Sequence, residues 1–285
     1  MNVLAVDIGG TKMAVALVDD DGTVGWRSAT PTPAGAGASA LWSTLAALVE
    51  TAPVADARAC GVGVGGPMRD HGELISPLNI PGWRDFPLRR RLASLTGLPT
   101  TVDNDAKALA LGEGWCGAAH QVYDYLAMVV STGVGGGVVL GGRLLDGAGG
   151  NAGHIGHLVV VPGGRRCGCG GFGCLEAEAS GLAIAAMTGA PAAEAGPLVV
   201  ARIGRLVGQA VASVANLLDL QLAVVAGSVA LGFGAPFFEA AQAEVDRLAC
   251  LDFSRGTQIR PGGLGADGPL VGAAAVARRA LRMLA

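Results

Sequence analysis

The sequence has almost no lysine. Of its 20 basic side chains only Lys12 and Lys107 are lysines, and the formal charge is -3. No basic footprint exists for nucleic acid, so any phosphate contact must come mostly from backbone amides, arginine or a metal ion. A secretory signal is missing too. Met1-Asn2-Val3-Leu4-Ala5-Val6-Asp7 runs directly into a strand, without a basic segment, an apolar core or a cleavage site, which predicts a cytoplasmic protein. Long unbroken apolar runs are lacking as well: the most apolar stretch, 220–238, is interrupted by Gly227, Gly232, Gly234 and Pro236. It predicts a buried strand and a turn, and no membrane partner.

What the sequence does hold is glycine and clustered cysteine. Its 47 glycines gather at strand ends, the distribution of a chain that brings its backbone close to ligands. The stretch from Gly147 to Glu176 carries two of the four histidines and three of the six cysteines. Cys167, Cys169 and Cys174, with His157 ten residues before the first, offer three thiolates and an imidazole. That set suits tetrahedral zinc in a closed structural site. Disulfides would leave one cysteine unpaired and want an oxidising compartment, and unrelated free thiols do not account for the glycine-rich turn.

With 285 residues, 51% of them hydrophobic, the chain can form two domains with a core each. Val3–Val6 and Ala14–Val18 read as buried strands, joined through Asp7-Ile8-Gly9-Gly10-Thr11-Lys12. Such a turn can hold a phosphate: glycine lets backbone N–H groups approach, Thr11 and Lys12 can donate, and Asp7 can hold a hydrated magnesium ion. An ordinary Gly-Gly hairpin is the other reading. A second copy of the pattern begins at Tyr125, with a strand to Val130, the turn Ser131–Gly137 and a returning strand from Val138. The repetition suggests two related domains facing one nucleotide.

Gly61-Val62-Gly63-Val64-Gly65-Gly66 matches the G-x-G-x-x-G string of dinucleotide-binding folds. Pro67 and a polar run follow where that motif needs a helix, so a Rossmann site is rejected. Asn79, in a loop pinned by Pro77 and Pro81, either forms a turn or presents a donor and an acceptor. Asp103-Asn104-Asp105 marks a corner between a strand at 101–102 and a helix from Lys107 to about Trp115. Asp105 is then a helix cap, or one of the polar groups that α/β folds collect at such corners for catalysis. Leu198–Leu218 and Leu270–Leu284 read as helices and Leu222–Ala226 as a strand; the loops at Gly227 and Gly262 either flank adenine and ribose or are plain turns.

D-I-G-G-T-K at 7–12, V-D-N-D-A at 102–106, S-T-G-V-G-G-G-V-V at 131–139 and the cluster from His157 to Glu176 together resemble the ROK family of bacterial sugar kinases and repressors. The resemblance implies an α/β, actin-like or hexokinase-like (RNase H-like) fold of two domains with a central cleft. The first would be 1–106, rejoined by the helix 270–285, and the second 107–269 with the zinc loop. It implies ATP with magnesium, a sugar substrate and a homodimer. Family repressors carry a DNA-binding module before D-I-G-G-T-K, where this sequence has six residues, so a kinase is expected.

Carried over residue by residue, the resemblance makes Asp105 the catalytic base. Gly9, Gly10, Thr11 and Lys12 would meet the ATP phosphates from one side, Thr132 and Gly133 from the other, with Asp7 and Gly227 also on the nucleotide. Gly66, Asn79, Asn104, Asp105, His154, His157 and Glu176 would contact the sugar, and His157 would also join the cysteines on zinc. Where most of the family has G-E-x-G-H, this chain has Gly153-His154-Ile155-Gly156-His157. That string is similar to the branch that phosphorylates the 6-hydroxyl of N-acetylmannosamine, and a donor at position 154 could meet an acyl oxygen. A glucokinase or other hexose kinase, and a sugar-binding regulator without turnover, are the alternatives.

Overall fold

A computed structural model describes residues 2–284. In chain order the elements are β1 (Asn2–Ile8), β2 (Lys12–Val18), β3 (Val24–Pro31), α1 (Ala38–Glu50), β4 (Ala57–Val64), β5 (Met68–Arg69), β6 (Leu74–Ile75), α2 (Leu88–Thr96), β7 (Thr100–Asn104), α3 (Asp105–Cys116), β8 (Tyr125–Val130), β9 (Val134–Leu140), β10 (Arg143–Leu144), α4 (Leu175–Ala179), α5 (Gly181–Thr188), α6 (Pro197–Leu218), β11 (Leu222–Ala226), α7 (Ser228–Phe233), α8 (Ala235–Leu248), β12 (Gln258–Pro261) and α9 (Gly268–Leu284). They form two compact units. One gathers Met1–Gly117, Asp146–Ala152 and Leu264–Ala285, the other Ala118–Leu145 and Gly153–Gly263.

Both units are built on the same plan. The first has a sheet in the order β3-β2-β1-β4-β7 and the second β10-β9-β8-β11-β12. In each, an antiparallel meander of three strands continues into parallel neighbours, β1 with β4 and β4 with β7, β8 with β11 and β11 with β12. The tight turn after β1 and the tight turn after β8 therefore occupy equivalent places.

In the first unit, alternation along the strands sends Leu4, Val6, Ile8, Val62, Val64 and Val102 to a core with α1 and α2, as a period of two requires. Val3, Ala5, Ala14, Ala16 and Ala59 face the other way, against Leu270, Ala273, Ala274 and Ala277 of α9. Small residues dominate this second face because the backbones come close. A Cβ on Gly61 would overlap the carbonyl oxygen of Ala273, and one on Gly272 would lie 2.7 Å from the backbone carbon of Ala108. The G-x-G-x-x-G string is thus in part a packing device for α9. α3, most of which lies beyond the boundary expected at residue 106, belongs to this unit, and its buried face meets α9 at Gly112 and Gly272.

In the second unit α6 lies on α8, where Gly204 and Gly208 leave room for the backbone of Phe237 and Ala241. α6 is long and apolar enough to cross a membrane, yet Val200, Ile203, Val207 and Val211 on it are buried in the core with Phe237, Ala241 and Val245. The returning strand β9 begins at Val134, four residues earlier than the apolar pattern predicts. Gly135, Gly136 and Gly137 disguise it, since glycine is a poor strand former, while Gly136 gives Ile155 room against the sheet.

Candidate active site

In the first unit the parallel register aligns Asp7 of β1 with Gly63 of β4, and Gly63 with Asp103 of β7. The ends of three adjacent strands thus bring the turn after β1, the loop after β4 and the corner after β7 to one edge of the sheet. The Gly9 N–H donates to Lys12 O at 2.9 Å, closing the first turn. Thr32, at the end of β3, braces it with a hydroxyl donated to Gly9 O at 2.7 Å and an N–H donated to Thr11 O at 3.0 Å. Thr11 and Lys12 are exposed.

Asn79 lies between two of these segments. A Cβ on Gly10 would be 3.1 Å from Asn79 O, and one on Gly65 would be 3.1 Å from Asn79 Oδ1. The neighbouring Gly66 carbonyl accepts the Leu78 N–H at 3.1 Å, so Gly66, Asn79 and the glycine turn form one continuous surface. At the corner, Asn104 Oδ1 caps α3 by accepting from Ala106 N at 3.0 Å and Lys107 N at 3.3 Å. Its side-chain NH2 group is not used in that cap. Asp105, the first helical residue, is exposed, and its Oδ1 accepts the Ala106 N–H at 2.8 Å.

Asp7 is half-buried. Burial, reinforced by the negative charge of Asp105 and opposed by Lys12, pushes its carboxyl up to about 7. Two carboxylates close enough to disturb each other make a site short of positive charge, which a divalent cation would relieve.

In the second unit the turn after β8 is held from three directions. The Gly181 N–H donates to Ser131 O at 2.7 Å, the Ser131 and Ser228 hydroxyls are 2.9 Å apart, and Glu176 Oε2 accepts the Val134 N–H at 2.9 Å. A Cβ on Gly133 would approach that carboxylate to 2.8 Å. Gly227, at the end of β11 beside β8, has φ 99° and is pressed on Val130, a conformation and a contact that both call for glycine. Thr132, Gly133 and Gly227 are thereby brought together, with Glu176 behind Gly133.

His157, Cys167, Cys169 and Cys174 also converge, their ligand atoms all within 4.8 Å of one another. Cys167 Sγ is 3.6 Å from His157 Nδ1, and Cys169 Sγ is 3.8 Å from Cys174 Sγ. Metal–ligand bonds of zinc length give tetrahedral edges of about 3.6 Å for S···N and about 3.8 Å for S···S. Those two edges match a tetrahedral ion, and the donor set is one that could hold it. Its loop is a tight knuckle, with Cys167 N donating to Gly171 O at 2.8 Å and Gly170 N to Cys167 O at 3.0 Å. His154 is exposed, and its ring is stacked near that of His157 with centroids 5.9 Å apart.

Several residues escape a reading of the sequence. Thr32 belongs to no motif, and only strand pairing brings it to Gly9. Glu178, two residues beyond Glu176, is buried; its Oε1 accepts the Arg165 N–H at 2.7 Å, and its Oε2 meets Arg165 at 2.9 Å and Arg202 at 2.6 Å. Burial raises this carboxyl, but the Arg165 N–H and the two guanidiniums outweigh it and hold it below the usual range. Lys107 and Asp103, both buried, form a second network with the half-buried Asp146 and Arg279. The scarcity of lysine was the one signal for it.

A model of the ROK family matches residues 3–280. The N-acetylmannosamine kinase of Escherichia fergusonii is 43% identical over 250 residues, covering 82% of this chain and 85% of that protein. Among solved structures, a ROK hexokinase from Thermus thermophilus is 36% identical with a TM-score of 0.85, over 99% of this chain and 100% of that one. A ROK family glucokinase from Streptomyces griseus, in complex with glucose and AMPPNP, is 30% identical with a TM-score of 0.86, over 98% and 100%.

Proposed function

The chain belongs to the ROK family, and from that premise we propose that it transfers the γ-phosphoryl group of ATP to the 6-hydroxyl of N-acetylmannosamine. The observation that carries the reading is the first unit's strand edge. Asp105 is exposed at the start of α3, Asp7 is near enough to feel its charge, and a glycine turn follows Asp7.

Phosphoryl transfer asks the protein mainly for positioning and charge neutralisation. Asp105 accepts the proton of the sugar hydroxyl as that oxygen attacks the γ-phosphorus and the bond to the ADP oxygen breaks. The N–H groups and side chains of Gly9 to Lys12, and those of Thr132 and Gly133, bind and orient the phosphates of the substrate ATP, with Gly227 at its nucleoside end. Magnesium, held by Asp7, supplies the positive charge that the phosphates and the paired carboxylates lack. Gly66, Asn79, Asn104, His154, His157 and Glu176 bind the sugar.

His157, Cys167, Cys169 and Cys174 hold structural zinc, three thiolates and an imidazole being a set that zinc prefers. The ion closes the loop that bears His157 and leads to Glu176. His154 gives selectivity, since a neutral imidazole has one donor and one acceptor where a carboxylate only accepts. The working form in this reading is a homodimer.

The test is ADP release with ATP, magnesium and a panel of N-acetylmannosamine, N-acetylglucosamine, glucose and mannose. N-acetylmannosamine is expected to lead in kcat/KM. Glucose in the lead would replace it with the hexokinase reading that the Thermus thermophilus and Streptomyces griseus likenesses favour. Sugar binding without turnover of any member would overturn the kinase reading.

A further inference from the structure

Lys107 is one of two lysines in the chain and is 2% exposed. A buried ammonium is tolerated when each of its three N–H groups finds an acceptor. Here Nζ meets Asp103 Oδ1 at 2.9 Å, Asp146 Oδ1 at 2.9 Å and Gly150 O at 3.0 Å. Asp103 lies two residues before Asp105 and Lys107 two residues after it, so the first contact spans the corner that carries the base. Asp103 Oδ1 also accepts the Asn104 N–H at 2.8 Å. The Asp103 and Lys107 side chains therefore tie the corner from inside, and Asp105 between them is exposed.

The other contacts reach far along the chain. Asp146 and Gly150 belong to the loop 146–152, which joins this unit. Arg279 of α9 holds the same Asp146 at 2.6 Å and approaches Asp103 at 3.7 Å. Asn151 fixes the loop's far end, accepting the Met68 N–H at 2.9 Å and donating to Met68 O at 2.8 Å. Beside the network is a cavity of about 160 Å³ lined by Met68, His71, Asp103, Asp146 and Arg279 among others. That space would let the corner move if the tie were cut.

We propose that Lys107 is a positioning residue for phosphoryl transfer, holding Asp105 in its productive place by anchoring the corner 103–105 to the loop 146–152. The proposal rests on the reading of Asp105 as the base. Burial raises the Asp103 carboxyl and Lys107 counters it, so a neutral side chain at 107 leaves Asp103 to seek water or a proton and drags the corner with it. Displacement of a reacting group by about 1 Å costs on the order of a hundredfold in rate.

The experiment is steady-state kinetics on Lys107→Met, Asp146→Asn, Asp105→Asn and the Lys107→Met/Asp105→Asn double variant, each checked for folding by circular dichroism. Lys107→Met should lower kcat roughly ten- to a hundredfold while KM for sugar and ATP stays within about threefold. Added to Asp105→Asn it should lower the residual rate no further, because a residue that acts through the base has nothing to act on once the base is gone. A merely structural lysine would not give that pattern. An unchanged kcat in folded Lys107→Met, or a further fall of similar size in the double variant, overturns the proposal. Should Lys107→Met fail to fold, Asp146→Asn decides: a fall in kcat of several-fold at constant KM supports the tie, and an unchanged kcat overturns it. Wild-type protein that turns over no sugar would instead overturn the kinase reading, and this proposal with it.

Discussion

Glu176 Oε2 accepts the N–H of Val134 at 2.9 Å, which joins the helix that follows the cysteine loop to the residue that follows the second glycine turn. Cys174 is two residues before Glu176, so whatever orders the cysteines also orders this hydrogen bond. Stripping the metal with a chelator, or replacing Cys169 by serine, should therefore lower Tm by several degrees and raise KM for ATP. Elemental analysis of protein purified without chelator should find about one zinc per chain. Absence of zinc, or a Cys169→Ser protein of unchanged Tm, would remove the structural-ion reading.

Asp105→Asn keeps the shape of the side chain and its place at the start of α3, and loses the proton acceptor. Turnover should fall by about two to four orders of magnitude. Sugar affinity by calorimetry should stay within about threefold. Near-normal kcat would mean that another group takes the proton.

Asp7 makes a prediction about pH. Its carboxyl is raised from an ordinary 3.8 to about 7 in the folded chain, by burial first and by Asp105 second. Below about pH 4 folded and unfolded chains both carry the proton, and the residue is neutral to stability. Between about pH 4 and 7 the unfolded chain loses it while the folded chain keeps it, so stability falls as pH rises, by up to about 4 kcal/mol in total. Asp7→Asn should accordingly match wild type in Tm near pH 4 and exceed it at pH 8. The same substitution should abolish magnesium-dependent turnover, a case of stability surrendered for a charged site. Equal Tm differences at both pH values would refute this account.

Glu178 is the opposite case. Its lowered pKa means that its contribution is complete above the ordinary glutamate value of 4.5 and is lost as pH falls through the folded value. Glu178→Ala strands Arg165 and Arg202 beside a hole, and should cost about 3 kcal/mol, read as a lower urea midpoint with unchanged m-value. An effect below about 1 kcal/mol would show the network to be dispensable.

Local patterns in the sequence exposed the elements whose signal is local. The apolar run of β1, the strand end of β4 and the periodicity of α6 are readable because burial on one or both faces dictates their composition. Strand β9 starts earlier than the pattern says because three glycines hide it, and β12, four residues ending in Pro261, has too little apolar content to announce itself. The glycine and corner motifs likewise mark where backbone turns tightly. What they cannot reveal is partnership at a distance. Thr32 on Gly9, Glu178 between Arg165 and Arg202, and Lys107 on Asp146 each join segments that strand order or helix packing brings together. Gly61 shows the converse, a residue inside a familiar string whose role is to admit the carbonyl of Ala273.

That close contact between β4 and α9 has a consequence for synthesis. The last strand of the first sheet is complete at Asn104, but the helix that covers one of its faces begins at Gly268. At ribosomal rates of about 5–20 residues per second the interval is on the order of ten seconds or more. Throughout it Val3, Ala5, Ala14, Ala16 and Ala59 have no α9 to cover them. The unit that bears Asp105 can close only after the other unit has been translated, so a ribosome that stalls before Gly268 leaves a nascent chain with an open apolar face for chaperones to hold.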